Sequence, residues 1–134
     1  MRESTKGDFV DTIDRKQARK LIAGELDRYR AARTAGDGRS AWIALERAHV
    51  VAQSFFALHL ASHWRMLGYA LALGDGREAA GQLFRLALVP LGSLTGRLPV
   101  GNTGRARISA FKPMPIPSDL EALISQRDKM ASGR

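Results

Sequence analysis

The segment AGDGRSA at residues 35–41 recurs as LGDGREA at residues 73–79, a displacement of 38 residues. A repeat period in this range is typical of stacked helical hairpins. The aspartates of the two copies, Asp37 and Asp75, are good N-cap residues, and Asp75 with Glu78 three positions later forms a capping-box pattern. The repeat therefore predicts an all-α fold built from two antiparallel helical hairpins.

Further signals place the helix boundaries. Asp14 and Gln17 form another capping-box pattern ahead of the first helix. No glycine or proline lies between Ser40 and Met66, so the second and third helices could fuse into one, but the repeat favours a turn near residue 55. Together these signals predict helices near 15–34, 38–54, 56–72 and 76–90.

The remainder of the chain has a different character. Residues 93–117, here called the strap, contain several glycines followed by the proline-rich run PMPIP. Because two hairpins are fewer than a solenoid normally needs, we expect the strap to cover their apolar end in an extended conformation. A capping-box pattern from Ser118 to Glu121 predicts a short helix at 118–130. The length of 134 residues fits one domain, spanning 1–134, with the hairpins at 15–92.

The composition excludes several classes of functional site and makes one segment of the chain strongly basic. The chain has no cysteine, which excludes disulfides, thiolate zinc sites and cysteine nucleophiles. Neither the charged opening residues nor the longest uncharged run, 48–64, has the pattern of a signal peptide or membrane span, so we expect a cytoplasmic protein. The net charge is +8, and residues 79–118 contain five basic residues and no acidic ones. This segment would attract an anion.

All three histidines lie in the stretch LERAHVVAQSFFALHLASHW, residues 45–64. Glu46 precedes His49 by three residues and His59 precedes His63 by four, and each spacing keeps the pair on one helical face. A turn near residue 55 would set His49 opposite His63, and a turn near Gly36 would bring Glu25 level with Arg47. The predicted polar layer contains Glu25, Glu46, His49 and His63, with His59 and Gln53 one turn away.

The repeat makes this layer unusual. The 38-residue offset relates Glu46 and His49 to Phe84 and Ala87, so two polar residues occupy positions whose partners in the repeat are apolar. Burying polar groups in such positions is costly unless they are paired, hydrogen-bonded or bound to a metal.

Three interpretations of the layer remain open. The first, which we favour, is a buried hydrogen-bond network that includes Gln53. The second is a divalent metal site, zinc or iron, because mixed carboxylate and imidazole ligands suit these ions; however, only one Glu-x-x-His motif is present and no His-Glu-x-x-His. The third is metal-free acid–base chemistry with Glu46 or His49 as the base. No nucleophile motif supports an enzyme, and His59, nearest the turn, is expected to be exposed. The candidate metal ligands are Glu46, His49 and His63 with Glu25 or His59.

The strap motif GNTGRAR, residues 101–107, offers backbone N–H groups and guanidiniums to an anion. It lacks the end of a Walker loop, and its asparagine and glycines favour a simple turn, which is the interpretation we prefer. Nucleic-acid binding through the basic strap is disfavoured because few aromatic residues lie between the charges. The candidate anion-binding residues are Asn102, Thr103, Arg105 and Arg107, and the further basic residues are Arg97 and Lys112.

The second hairpin resembles a tetratricopeptide repeat over residues 61–92. Its first helix reproduces the Trp-x-x-Leu-Gly opening of that family, with leucine where its tyrosine usually falls, and Pro90 comes two residues early. The resemblance implies a core containing an aromatic residue, and small residues where the two helices approach closely. The matching positions are Trp64, Leu67, Gly68, Leu71, Ala80, Phe84 and Ala87.

The pieces LERAHVVAQ, HLASHWRML, GRLPVGNTG and PMPIPSDL resemble a small bacterial family catalogued as a domain of unknown function. The resemblance implies no activity, but it implies that the histidines, Glu46, Gln53 and the GNTG turn belong to one shared pattern. Our first hypothesis is a cytoplasmic helical binding module whose protein partner or small anionic ligand lies between the third helix and the strap. The second is a metal-binding protein. A homodimer is compatible with either hypothesis.

Overall fold

The all-α prediction is confirmed. A computed structural model describes residues 13–95, 102–106, 108 and 114–123. Four helices follow one another, and within the described ranges there is no strand. A further helical segment covers residues 118–123, so the described part of the predicted C-terminal helix is helical and residues 124–130 lie outside the described residues. The helices are α1 (Arg15–Thr34), α2 (Gly38–Ala52), α3 (Phe56–Leu73) and α4 (Gly76–Thr95).

The repeated Gly-Asp-Gly segments form the two hairpin turns. Gly36 and Gly74 adopt positive φ angles of 74° and 70°, which glycine adopts without steric cost. Asp37 then accepts a hydrogen bond from the backbone N–H of Ser40 at 3.0 Å, and Asp75 does the same for Glu78. The aspartates therefore cap α2 and α4 as predicted.

The predicted break between α2 and α3 is confirmed without any glycine or proline. α2 ends at Ala52, and Phe55 is extended, with φ −120° and ψ 113°, immediately before α3. By contrast, α4 does not end near residue 90. It passes through Pro90 to Thr95 and so includes the first residues assigned to the strap. A proline removes one helical hydrogen bond and bends a helix, but here it does not terminate it.

The helices pack as two antiparallel pairs, α1 with α2 and α3 with α4, and α2 also contacts α3. Tyr69 joins the pairs, because its ring lies 4.9 Å from that of Trp42 on α2 and 5.3 Å from that of Tyr29 on α1. Leu120 of the C-terminal segment is fully buried against this core. Ile116 of the strap is partly buried against the same core, so residues 114–123 pack on the hairpins.

Of the seven positions that resemble a tetratricopeptide repeat, only Leu67 is buried in the core. Trp64 and Phe84 are 67% and 59% exposed, and Ala87 is exposed as well, so the expectation that Phe84 and Ala87 are buried is wrong. Gly68 and Ala80 are also exposed, and a Cβ atom on Gly68 would have no neighbour within 4 Å. The buried face of α4 instead contains Ala79, Gln82 and Val89. The helix is therefore rotated about its axis relative to the orientation that the tetratricopeptide resemblance implies.

Arg47 joins α1, α2 and the C-terminal segment. Its Nε donates to Glu25 Oε1 at 2.8 Å, and its terminal nitrogens donate to the two carboxylate oxygens of Asp119 at 2.8 and 2.5 Å. Glu25 is only 4% exposed. The prediction that Glu25 lies level with Arg47 is confirmed. None of the helices in the described part of the chain has the length and hydropathy that a bilayer span requires.

Replacing Arg47 with alanine is expected to lower the free energy of unfolding by about 3 kcal/mol, because the buried Glu25 carboxylate loses its main partner. Arg30→Ala is the matched control, since Arg30 pairs with Asp27 across two exposed side chains, and it should change stability by less than about 1 kcal/mol. Urea unfolding of the two variants measures both values. Equal losses would show that the Arg47 pair has no special structural role.

Candidate metal centre

The three histidines meet in the interior. His49 projects from α2, and His59 and His63 project from one face of α3, as their four-residue spacing predicts. Their Nε2 atoms form a triangle with all three sides equal to 3.1 Å. The side chains are 2%, 3% and 2% exposed. These residues are called the histidine cluster below.

The hydrogen bonds of two rings fix where their protons lie. His49 Nδ1 is 2.7 Å from the backbone carbonyl oxygen of Asn102, which can only accept, so this nitrogen is the donor. His63 Nδ1 is 2.7 Å from Gln82 Oε1. The Gln82 amide nitrogen donates to Glu78 and to the carbonyl of Gly104, so its oxygen is the atom that faces His63. Both neutral rings therefore carry the proton on Nδ1 and direct an Nε2 lone pair at the centre of the triangle.

Hydrogen bonds within the cluster cannot satisfy all the ring nitrogens of His59 and its two neighbouring histidines. Its Nδ1 is buried and has no hydrogen-bond partner within the described ranges. With the proton on Nε2, His59 could donate to one of the other two rings, and Nδ1 would stay unpaired. With the proton on Nδ1, three lone pairs would face one another. Either state leaves buried polar atoms unsatisfied, which is unfavourable unless a cation lies at the centre.

The cluster is neutral at physiological pH. Burial lowers the pKa of His59 to about 3 and that of His63 to about 4, and it holds the pKa of His49 well below the usual 6.5. Repulsion between the imidazoles acts in the same direction on His49 and His59. The neutral imidazole is the form that binds metals.

The triangle has the dimensions of a three-histidine metal site. A single ion could lie within the usual zinc–nitrogen distance of about 2.0–2.1 Å of all three Nε2 atoms, so the three histidines would hold it together. Three imidazoles suit zinc, copper, iron and nickel.

The two predicted carboxylate ligands lie elsewhere. Glu25 binds Arg47 and Arg28, and Glu46 forms an ion pair with Arg105 at 3.3 Å. Among the described residues, the metal-ligating side chains close enough to share an ion are those of the histidine cluster. The expectation that His59 is exposed is wrong, because the first turn of α3 directs it towards α2. Gln53 is buried at the end of α2.

The strap closes over the cluster through a turn. Asn102 Oδ1 accepts from the Gly104 N–H at 2.9 Å, and Thr103 Oγ1 is 3.5 Å from the Arg105 nitrogen. The Arg105 guanidinium stacks on Trp42 and lies within ion-pair distance of Glu78 and Glu46. These contacts favour the turn interpretation over an anion site, since the charge of Arg105 already has partners. Arg97, Arg107 and Lys112 lie outside the described residues.

Sequence reasoning missed the groups that orient the rings. Gln82 and Glu78 lie four residues apart on the buried face of α4, and Glu78 Oε1 accepts from the Gln82 amide at 2.9 Å. The same carboxylate accepts from the backbone N–H of Ala106 in the strap. A pair of polar residues at a one-face spacing was the available signal. The tetratricopeptide resemblance obscured this signal, because it implies a core at Ala80, Phe84 and Ala87 on a different side of the helix.

Gly104→Ala is expected to lower the free energy of unfolding by about 2–4 kcal/mol. The new Cβ would lie 2.9–3.0 Å from His49 ring atoms, and Gly104 has a positive φ of 81°. Gly36→Ala is the matched control: φ is 74° there, but nothing lies within 4 Å of the added carbon, so only the backbone strain of about 1 kcal/mol applies. Chemical denaturation of both variants tests this, and equal losses would contradict the close packing of the strap on His49.

Without metal, the protein should lose stability as the pH falls from 6.5 to 4. The unfolded chain protonates its histidines near pH 6.5, whereas the folded chain keeps His59 and His63 neutral down to about pH 3 and 4. The unfolded state then binds more protons, and acidification favours it by on the order of a few kcal/mol. Unfolding of chelator-treated protein at several pH values should show a shallower dependence for His59→Gln. If the unfolding free energy depended on pH equally steeply in both proteins, the lowered pKa of His59 would be refuted.

Residues 16–124 match the family DUF3703, described as a protein of unknown function. No curated protein and no solved structure matches the chain. The matched range includes the histidine cluster, Glu78, Gln82 and the Asn102 turn, in agreement with the resemblance found in the sequence motifs. Because the match covers most of the 134 residues, the chain belongs to the family DUF3703.

Proposed function

We propose that this protein binds one divalent transition-metal ion, zinc or iron, through Nε2 of His49, His59 and His63. The observation that carries the proposal is the convergence of three buried imidazole nitrogens, of which two have their protons held on the opposite side of the ring. Neutral side chains that direct lone pairs at one point repel one another, and a cation at that point turns the repulsion into coordination.

The surroundings of the cluster support this role. Histidine ligands in metalloproteins almost always donate their other N–H to a carbonyl or carboxylate, which orients the ring and raises its basicity. His49 donates to the Asn102 carbonyl, and His63 donates to Gln82, which in turn donates to the Glu78 carboxylate. The buried Glu78 carboxylate lies two hydrogen bonds from His63 and partly offsets the charge of an ion bound to three neutral ligands.

The position of the cluster indicates a structural role for the ion rather than catalysis. The ligands come from α2 and α3, and the groups that orient them come from α4 and the strap, so one ion would join four parts of the chain. An ion that binds only the folded state stabilises it in proportion to the logarithm of its concentration over the dissociation constant.

Elemental analysis of protein purified without a histidine tag is expected to find about one zinc or iron per chain. His49→Ala and His63→Ala should abolish stoichiometric metal, and adding zinc to chelated wild type should raise its melting temperature. Glu46→Gln and Glu25→Gln are matched controls: both remove a carboxylate that the sequence offers as a ligand, but neither side chain reaches the cluster, so both variants should retain the metal.

A second readout covers the case in which the histidine variants fail to fold. Cobalt(II) added to chelated wild type should produce visible d–d absorption with one equivalent bound. No cobalt spectrum, no zinc-induced thermal shift and no metal after purification would together refute the proposal. Loss of metal in Glu46→Gln as well as in His63→Ala would instead support the mixed carboxylate and imidazole site that the sequence suggests.

A second candidate function is the binding module, and one observation favours it. The helices α3 and α4 expose several large apolar side chains, among them Trp64 and Phe84. Such exposure on adjacent helices is typical of a surface that binds another protein. A groove beside the basic strap is less well supported, because Arg105 is paired with Glu46 and Glu78.

A further inference from the structure

The solvent-facing side of the α3–α4 hairpin is apolar on both helices. On α3 the exposed positions one turn apart are Trp64, Gly68 and Leu71, and Ala57 and Ala72 continue the same side. On α4 the exposed positions 80, 83, 84 and 87 are likewise apolar. This surface, here called the outer face, consists of Trp64, Gly68 and Leu71 of α3 and Ala80, Leu83, Phe84 and Ala87 of α4.

The outer face is large for a surface that remains in water. Trp64, Leu71, Leu83 and Phe84 are each more than half exposed. Together they present on the order of 500 Å² of apolar area, which reaches the upper range for surface patches of monomers. With the small residues between them, the area approaches the about 800 Å² per partner of a standard protein–protein interface.

Trp64 and Gly68 make the outer face complementary to itself. The indole is the largest projection on α3, and the glycine one turn later is its deepest gap, since an added Cβ there would meet nothing within 4 Å. Glycine inside a helix is less stable than alanine by about 1 kcal/mol, and no contact within the described chain requires it. In an antiparallel pair of α3 helices related by a two-fold axis, each Trp64 lies over the partner's gap, and this contact occurs twice.

The charges near the outer face leave its centre neutral. Among the side chains that the structure describes on these two helices, the exposed charged ones are Arg65 on α3 and Arg77 on α4. The other two charged residues of α4, Glu78 and Arg85, are buried. Asp75 caps α4 at the end of the hairpin. Two copies can therefore bring their apolar centres together without burying a charge, and the weak repulsion between peripheral arginines is screened by salt.

We propose that the outer face is the interface of a homodimer, with Trp64 of each copy packed over Gly68 of the other. The inference rests on the binding-module candidate and names its partner as a second copy of this chain. It is independent of the metal site, which lies on the opposite, buried side of α3.

Sedimentation equilibrium of the full chain from about 1 to 100 μM tests the proposal, because an interface of this size associates within that range. Wild type should dimerise, and raising the salt concentration should strengthen association. Trp64→Ala should weaken it at least about 30-fold, as expected for a central tryptophan. Gly68→Gln is the sharper variant: it should stabilise the isolated helix and yet weaken the dimer. Ile43→Gln, an exposed apolar position on α2, is the matched control and should leave association unchanged.

Other outcomes separate the hypotheses. A wild-type protein that is monomeric at 100 μM and binds a hydrophobic dye would overturn the dimer while leaving the outer face available to a different protein. A monomer that binds no dye would overturn both, because the face would then be covered by the chain itself. A dimer unaffected by Trp64→Ala and Gly68→Gln would place the interface elsewhere and contradict the proposal. Metal content, measured on the same samples, decides the metal site separately.

Discussion

The interior of this protein depends on where two imidazole protons lie. His49 donates from Nδ1 to a backbone carbonyl of the strap, and His63 donates from Nδ1 to a glutamine whose amide is fixed by two further acceptors. These bonds leave the Nε2 lone pairs directed at each other and at His59. The strap, α4 and the cluster therefore constrain one another, because a shift of any of them would break a buried hydrogen bond whose loss costs about 1–3 kcal/mol.

Two polar centres hold the chain together, and they have different characters. The Arg47 centre joins α1, α2 and the C-terminal segment through opposite charges, and its pairs are complete apart from one Glu25 oxygen. The histidine cluster joins α2 and α3 through neutral groups of the same kind, and a single hydrogen bond from His59 could satisfy only one of the other two rings. Burial lowers the histidine pKa values so far that a proton is not available near neutral pH. A metal ion is the cation that suits this environment.

The buried side and the exposed side of helix α3 carry different groups. His63 and Trp64 are adjacent in sequence, yet the 100° rotation between them places one in the cluster and the other in solvent. The inner side carries the candidate metal ligands, and the outer side carries the proposed dimer contact. Only Arg65 adds a formal charge to the helix. An apolar side of a helix is normally buried against another element, which is consistent with a second layer packing on the outer face of α3.

Local sequence signals are sufficient to predict four consecutive helices, three of them with aspartate N-caps. They also predict the hairpin turns at Gly36 and Gly74 and the proximity of Glu25 to Arg47. These features follow from local rules of capping, backbone conformation and helix length. Long-range packing instead determines that His59 joins the cluster, that Glu46 pairs with Arg105, and that Phe84 and Ala87 face solvent. The reason is physical: periodicity identifies the buried side of a helix only when that side is the more apolar one. In α3 and α4 the exposed sides are apolar, whereas the buried sides include polar residues such as His63 and Gln82. Which side became the interior was set by packing against α2 and the strap, through contacts between residues far apart in the chain.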